Sequence, residues 1–245
     1  MKKYTAVIAI SACIASPALG ADMALPAPAP GYVPSAMPYD WGGFYLGGFG
    51  SYTRSHTTTT TTANGLSFGP TTITTSAPHI GGQIGLDYML PSRIVIGIVG
   101  DLSSGQRSPL ITTVGALGAT STAQSQTTVS GTLRGRLGYA IDRVLLYGTG
   151  GWAWSSGNAT RTQNSGTVGN AVAGTTENVN ITPEGWTAGG GGAFAVTQNL
   201  NVFAEYRYTN VKSSVGYQIS ELSTSLTSKI NTVEVGLNLK VDWGR

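Results

Sequence analysis

VSGTLRGRLGYAIDRVLLYGTGGWAW, residues 129–154, contains two runs whose side chains alternate in character with a period of two, joined by a tight turn. In the first run Val129, Gly131, Leu133, Gly135, Leu137 and Tyr139 share one parity, and Arg134 and Arg136 share the other. Ala140-Ile141-Asp142-Arg143 is turn chemistry. The second run, 144–154, ends with Trp152 and Trp154 on one parity. Period-two alternation marks a strand that presents one apolar and one polar face.

Working outward from this hairpin, six more such runs appear, at 44–54, 80–90, 94–102, 186–196, 202–209 and 232–241. Helix signals are nearly absent. Leu90-Pro91-Ser92-Arg93 and Thr197-Gln198-Asn199-Leu200 form two further tight connections, and the remaining four are long, roughly 20–30 residues each. A soluble domain seldom tolerates several loops of that length. Strict alternation of short and long connections is the pattern of an outer-membrane barrel, and runs of about 9–11 residues are long enough to cross a bilayer when tilted. The expected fold is all-β: a closed, antiparallel, eight-stranded transmembrane β-barrel with short periplasmic turns and long extracellular loops. Closure is required because an open edge in hydrocarbon leaves backbone amides without partners.

Parity alone does not tell lipid-facing from core-facing. The aromatic residues add direction. If the first strand rises from the periplasm, Tyr88, Tyr139 and Trp243 fall at the periplasmic end. Tyr52, Trp152, Trp154, Trp186 and Tyr208 fall at the other. Two such belts suit two membrane interfaces, where a ring has one apolar and one wet side. The glycine-rich opening DWGGFYLGGFGSY, 40–52, then becomes the first strand, with Phe44, Leu46 and Tyr52 toward lipid and Tyr45 and Phe49 toward the lumen.

The chain begins with Lys2 and Lys3, an apolar stretch and Ala18-Leu19-Gly20, which reads as a secretory signal over 1–20. A lipoprotein box ending at Cys13, the sole cysteine, competes with this, but the apolar stretch runs on past it. Residues 21–40 are Pro/Ala-rich and read as a periplasmic linker, leaving 41–245 for the barrel. Loss of Lys2 and Lys3 brings the 14 basic residues to within one of the 11 acidic ones, so the charge does not argue for nucleic acid. Only 10% of residues are charged, against about 25% in ordinary soluble domains.

The inward parity carries Asp87, Asp101, Glu205 and Glu234 against Arg134, Arg136, Arg207 and Lys240. A balanced set in a lumen only wide enough for side chains points to mutual pairing that closes it. The expected role is therefore structural and surface-exposed. A small diffusion pore is one alternative; ligand binding, haem included, or host-surface binding through the outer loops is another. No cofactor is expected. Expected partners are outer-membrane lipid, lipopolysaccharide and the barrel-insertion machinery, with the protein itself monomeric. Gly190-Gly191-Gly192-Ala193-Phe194-Ala195 fits a dinucleotide fingerprint but lacks the strand before it and the helix after it. His56 and His79 lie at the outer ends of the first two strands, close enough to consider a metal or haem pair, but with no third ligand nearby. No catalytic constellation appears, and no enzyme is expected.

Trp41-Gly42-Gly43-Phe44-Tyr45-Leu46-Gly47-Gly48, Gly82-Gln83-Ile84-Gly85, the 133–140 segment and Leu146-Tyr147-Gly148-Thr149-Gly150-Gly151-Trp152-Ala153 together resemble the small outer-membrane β-barrels of alphaproteobacteria, often called porin-family or OmpA-like barrels. The resemblance runs from about residue 40 to the end. It implies an eight-stranded barrel with surface loops and envelope roles; some relatives are linked to haem or host contact, and no motif here carries those roles over. Such chains commonly end in Phe. This one ends Val241-Asp242-Trp243-Gly244-Arg245, with Trp243 on the outward parity.

Overall fold

The computed structural model describes residues 39–63, 66–108, 110–114 and 118–241. The expected signal, Cys13, most of the linker and Trp243-Gly244-Arg245 lie outside these. Ten strands are seen: β1 (Gly43–Ala63), β2 (Leu66–Met89), β3 (Ile94–Ser104), β4 (Ile111–Val114), β5 (Thr120–Ile141), β6 (Val144–Ser165), β7 (Thr176–Ile181), β8 (Glu184–Ala195), β9 (Leu200–Tyr217) and β10 (Leu222–Val241). All pairings are antiparallel. β1 pairs with β2 and β10, and the ring continues through β3, β5, β6, β8 and β9 back to β10. Eight strands thus close a ring without a free edge in the wall. β4 and β7 add to the outer ends of β5 and β6.

The inner connections are as tight as their sequences require. Between β2 and β3 the Arg93 amide bonds the Leu90 carbonyl at 2.9 Å, with Arg93 at φ 65°. Asp142 turns β5 into β6 at φ 50°, a left-handed conformation that a short polar side chain tolerates. Thr197 Oγ1 accepts from the Leu200 amide at 3.0 Å between β8 and β9.

The outer ends run beyond the expected strands. β1 continues from Arg54 to Ala63, paired to β10 on one side and, across one irregularity at Thr59/Thr61, to β2 on the other. The Ser/Thr-rich stretches are therefore largely hairpin. Their hydroxyls meet across strands: Thr57 with Ser228 at 2.9 Å, Thr58 with Thr72 at 3.1 Å and Thr162 with Thr176 at 3.0 Å. Such pairs contribute about 0.2–1 kcal/mol each. Threonine favours the extended chain, but with water on the outside no apolar alternation marks the strand.

Within the wall, alternation sorts the faces as read. Leu46, Ile84, Leu86, Ile96, Ile98, Leu133, Leu137, Val235 and Leu239 all point outward and lie about half exposed. Val95, Val99 and Leu145 point inward with no exposed surface. A ring of outward aliphatics around buried polar residues is the reverse of a soluble β-sandwich and matches a wall surrounded by lipid.

Candidate functional site: the lumen and the outer hairpins

Odd-numbered residues of β1, β2, β3, β7 and β9 and even-numbered residues of the inner half of β5 and of β10 face the interior. This parity brings Asp101 of β3, Arg134 of β5, Glu205 and Arg207 of β9 and Glu234 of β10 into one cluster. Arg134 Nη2 lies 2.8 Å from Asp101, its Nη1 bonds Glu205, and its Nε donates to Thr132 Oγ1 at 2.9 Å. Thr132 in turn donates to Asp101. Arg207 reaches Asp101 at 3.3 Å and Glu234 at 3.2 Å. Three carboxylates and two guanidiniums thus meet across the lumen, and the Arg134 side chain has no exposed surface. A second pair lies nearer the inner end. Arg136 holds Asp87 at 3.0 Å, with its guanidinium 4.4 Å from the Tyr147 ring centre and 5.3 Å from that of Tyr45. An arginine against two aromatic faces keeps its charge while shielded from water.

Lys240 departs from the expected network. Its ammonium donates to the Asp40 carbonyl at 2.8 Å and sits 5.8 Å from the Tyr39 ring. Lys240 faces Tyr45 at the inner end of β1, where the group within its reach is the Asp40 carbonyl rather than a carboxylate. The inner mouth is filled instead by aromatics. Tyr39 meets Trp41 edge to face at 4.8 Å, and the Trp41 indole donates to the Asp142 carbonyl at 3.1 Å. Val95, Leu145, Tyr147, Ala195 and Phe203 complete this apolar floor. Gln83, Asn238 and Asn201 span the lumen above it through bonds of 2.7 and 3.0 Å. The space left among Tyr45, Asp87, Arg136, Tyr147 and Asn238 is about 10 Å³, scarcely one water.

Outside the charge cluster the lumen widens into a cavity of about 260 Å³, floored by Asp101, Arg207 and Thr132 and walled by hydroxyls with Ile73, Ile181 and Leu226 among them. His79 lines it, bonded to Thr53 Oγ1 and the Ser104 carbonyl, both at 2.8 Å. His56, on the opposite parity, bonds Thr74 on the outer face at 2.9 Å. The two histidines therefore do not converge, because their positions differ by an odd number of pleats. Among the described residues no group of three His, Cys, Asp or Glu could hold a metal. Gly190 to Ala195 lie within β8, paired on both sides, and form no phosphate-binding turn.

The described aromatic residues of the two expected belts fall on the outward face. Tyr88 and Tyr139 lie at the inner ends. Tyr52, Trp152 and Trp186 lie toward the outer ends, Trp152 stacked on Trp154 at 4.9 Å and Trp186 against Tyr208 at 5.4 Å. Tyr206, absent from the belt as read, also points outward and donates to Asn231 at 2.6 Å.

Sequence reasoning also missed a buried group in the outer hairpins. Glu177 of β7 accepts from the Ile219 amide at 2.8 Å and from Ser220 Oγ, and lies 3.7 Å from Arg161 of β6. Arg161 also donates to Ser220 at 2.8 Å and to Gln163 at 2.8 Å. Burial pulls the Arg161 guanidinium below its ordinary range, with Glu177 opposing, and raises the Tyr217 hydroxyl. Beside it Ala159, Ile181, Val215 and Tyr217 form a small apolar core. These contacts tie β6–β7 to the β9–β10 hairpin. In the sequence, Arg161 and Glu177 stood alone in Ser/Thr/Asn-rich stretches with no periodicity to pair them. We expect Glu177→Ala to open this tie at a local cost of about 1–3 kcal/mol. Proteinase K should then cut the 166–175 connection about tenfold faster, while the electrophoretic shift of the unboiled barrel stays as in the parent. Unchanged cutting would show that the tie carries no stability.

Comparison with known proteins agrees with this architecture. The model of the family described as outer membrane protein beta-barrel domain matches residues 17–240. The 31 kDa outer-membrane immunogenic protein of Brucella melitensis is 30% identical over 249 aligned residues, covering 97% of this chain and 99% of the relative. The 22 kDa outer membrane protein of Rhizobium leguminosarum bv. viciae is 30% identical over 202 residues, covering 82% and 78%. Among solved structures, the outer membrane protein OprG of Pseudomonas aeruginosa aligns over 83% of this chain and 98% of its own at a TM-score of 0.50 and 11% identity, a likeness of fold. A closed ring with lipid-type outer faces and a family match over most of its length have one joint reading: this chain belongs to the outer-membrane protein β-barrel domain family and is a protein of the bacterial outer membrane.

Proposed function

We propose that this protein acts as a closed-lumen barrel of the outer membrane, structural in its wall and exposed to the exterior through its paired outer hairpins. The observation that carries the reading is the Arg134–Asp101–Glu205–Arg207–Glu234 cluster above an aromatic floor. Removing one partner from such a set is costly, so an open, hydrated path through it is disfavoured. Among the described residues the lumen groups are engaged in mutual ion pairs and hydrogen bonds, and we propose no enzymatic step. The aromatic belts set the depth of the wall in the membrane, and the hairpins meet the exterior. The Brucella relative is named an immunogenic protein, which supports exposure of the corresponding hairpins here.

The test is electrical. Purified protein in a planar bilayer should give no steady single-channel steps at moderate voltage. Reproducible unitary steps, altered by replacing Arg134, would favour the diffusion-pore reading instead. The cavity of about 260 Å³ outside the cluster supports a second reading, small-ligand capture from the exterior. Its hydroxyl walls and single guanidinium suit a polar ligand.

A further inference from the structure

Just outside the outer aromatic belt, the lipid-side parity of three adjacent strands carries cations. Arg54 stands on β1 two residues beyond Tyr52, Lys229 on β10 faces His56, and Lys212 on β9 faces Thr227. Lys229 therefore lies one diagonal step from Arg54 on one side and one from Lys212 on the other. Diagonal neighbours across strands are about 7–8 Å apart, within mutual reach of long side chains. All three are exposed. None forms an ion pair with a carboxylate within 4.0 Å among the described residues. Glu184, opposite Lys212, is the acidic neighbour on this face, and the patch keeps an excess of positive charge.

Like charges on neighbouring strands repel, and nothing in the wall requires them here. At about 3.4 Å per residue, Arg54 stands about 7 Å beyond the Tyr52 row. Tyrosine rings settle where acyl chain gives way to headgroup, so a group one pleat farther out faces the phosphate layer. Tyr206 holds Asn231, which stands opposite Arg54, fixing a polar neighbour at the same level. We propose that Arg54, Lys229 and Lys212 form a binding site for the phosphorylated headgroup of an outer-leaflet glycolipid. Guanidinium and ammonium donors meet the phosphate oxygens, the tyrosines beneath pack against the first acyl carbons, and the bound anion relieves the repulsion among the three cations. The site lies on the outside of the wall and is independent of whether the lumen conducts.

The experiment compares binding of bis-phosphorylated lipid A and its dephosphorylated form to detergent-purified protein by native mass spectrometry. We expect the parent to hold the phosphorylated lipid, Arg54→Ala/Lys212→Ala/Lys229→Ala to bind about a hundredfold more weakly, at about fivefold per cation, and Arg54→Lys/Lys229→Arg to bind as the parent does. The electrophoretic shift of unboiled protein confirms that each variant is folded. Equal binding of the dephosphorylated lipid, or parental affinity in the triple variant, would overturn the proposal. Binding of free pyrophosphate as tightly as the phosphorylated lipid would also overturn it, since the site would then be one for soluble anions.

Discussion

Arg134→Ala should be the most damaging single substitution in the wall, lowering folding stability by about 3–5 kcal/mol. The guanidinium is fully buried, bonds Asp101 and Glu205 at once, and takes further bonds from its Nε and Nη1 to Thr132 at 2.9 Å and Thr149 at 3.3 Å. Its removal leaves Asp101, Glu205 and Glu234 facing Arg207 alone. The uncompensated carboxylates must then stay charged and unpaired, take up protons, or draw in water. Arg134→Met, similar in volume, keeps the packing but not the charge, so it should cost nearly as much and separate electrostatics from cavity formation. Arg134→Met combined with Asp101→Asn and Glu205→Gln should recover much of the loss, because the stranded charges leave with their partner. Urea unfolding from lipid vesicles, followed by tryptophan fluorescence, reads the midpoints. If Arg134→Ala unfolds at the parental urea concentration, the cluster does not hold the lumen together.

The wall was legible in the sequence because it obeys one rule. In lipid, alternate residues meet hydrocarbon and a crowded interior, so Leu133, Leu137 and Tyr139 part from Arg134 and Arg136 at every second step. The same parity placed Asp87, Asp101, Glu205, Arg207 and Glu234 inside, and burial then forced them to pair. Parity gives the face but not the height. Lys240, correctly inward, was therefore grouped with charges it does not pair with, whereas His56 and His79 share a height at the outer ends of β1 and β2 but their parities oppose. The outer hairpins were invisible for the complementary reason. Thr57, Thr72, Ser228 and their neighbours form strands with water on the outer side, and without an apolar face nothing in their spacing says where the strand ends. The Arg161–Glu177 tie depends on two hairpins meeting in space, a contact that no local pattern encodes. That Trp41 and Tyr39, which precede β1, pack into the apolar floor is a contact that a period-two pattern does not encode.

The structure divides the glycines of the wall by face, with opposite predicted signs for alanine at Gly97 of β3 and at Gly50 of β1. Gly97 points into the lumen opposite Asp87. A Cβ there would come within 1.9 Å of Asp87 Oδ1 and 2.6 Å of the Leu86 carbonyl oxygen. Turning the carboxylate aside would disturb the contact of its other oxygen, Oδ2, with Arg136, and the carbonyl belongs to the neighbouring strand, so the wall itself must move. Gly97→Ala should therefore cost about 1–3 kcal/mol through overpacking, with the weakened Arg136–Asp87 pair as an added loss. Gly50 points to lipid, and a Cβ there meets nothing within 4 Å. Its backbone suits any residue, and alanine in place of a strand glycine narrows the unfolded chain, so Gly50→Ala should raise stability by about 0.5–1 kcal/mol. The two midpoints in one urea series test the assignment of faces directly. A loss at Gly50 as large as that at Gly97 would mean that the lipid side of β1 is packed against something, and that the glycines of the first strand serve an interface on the outside of the barrel rather than space within it.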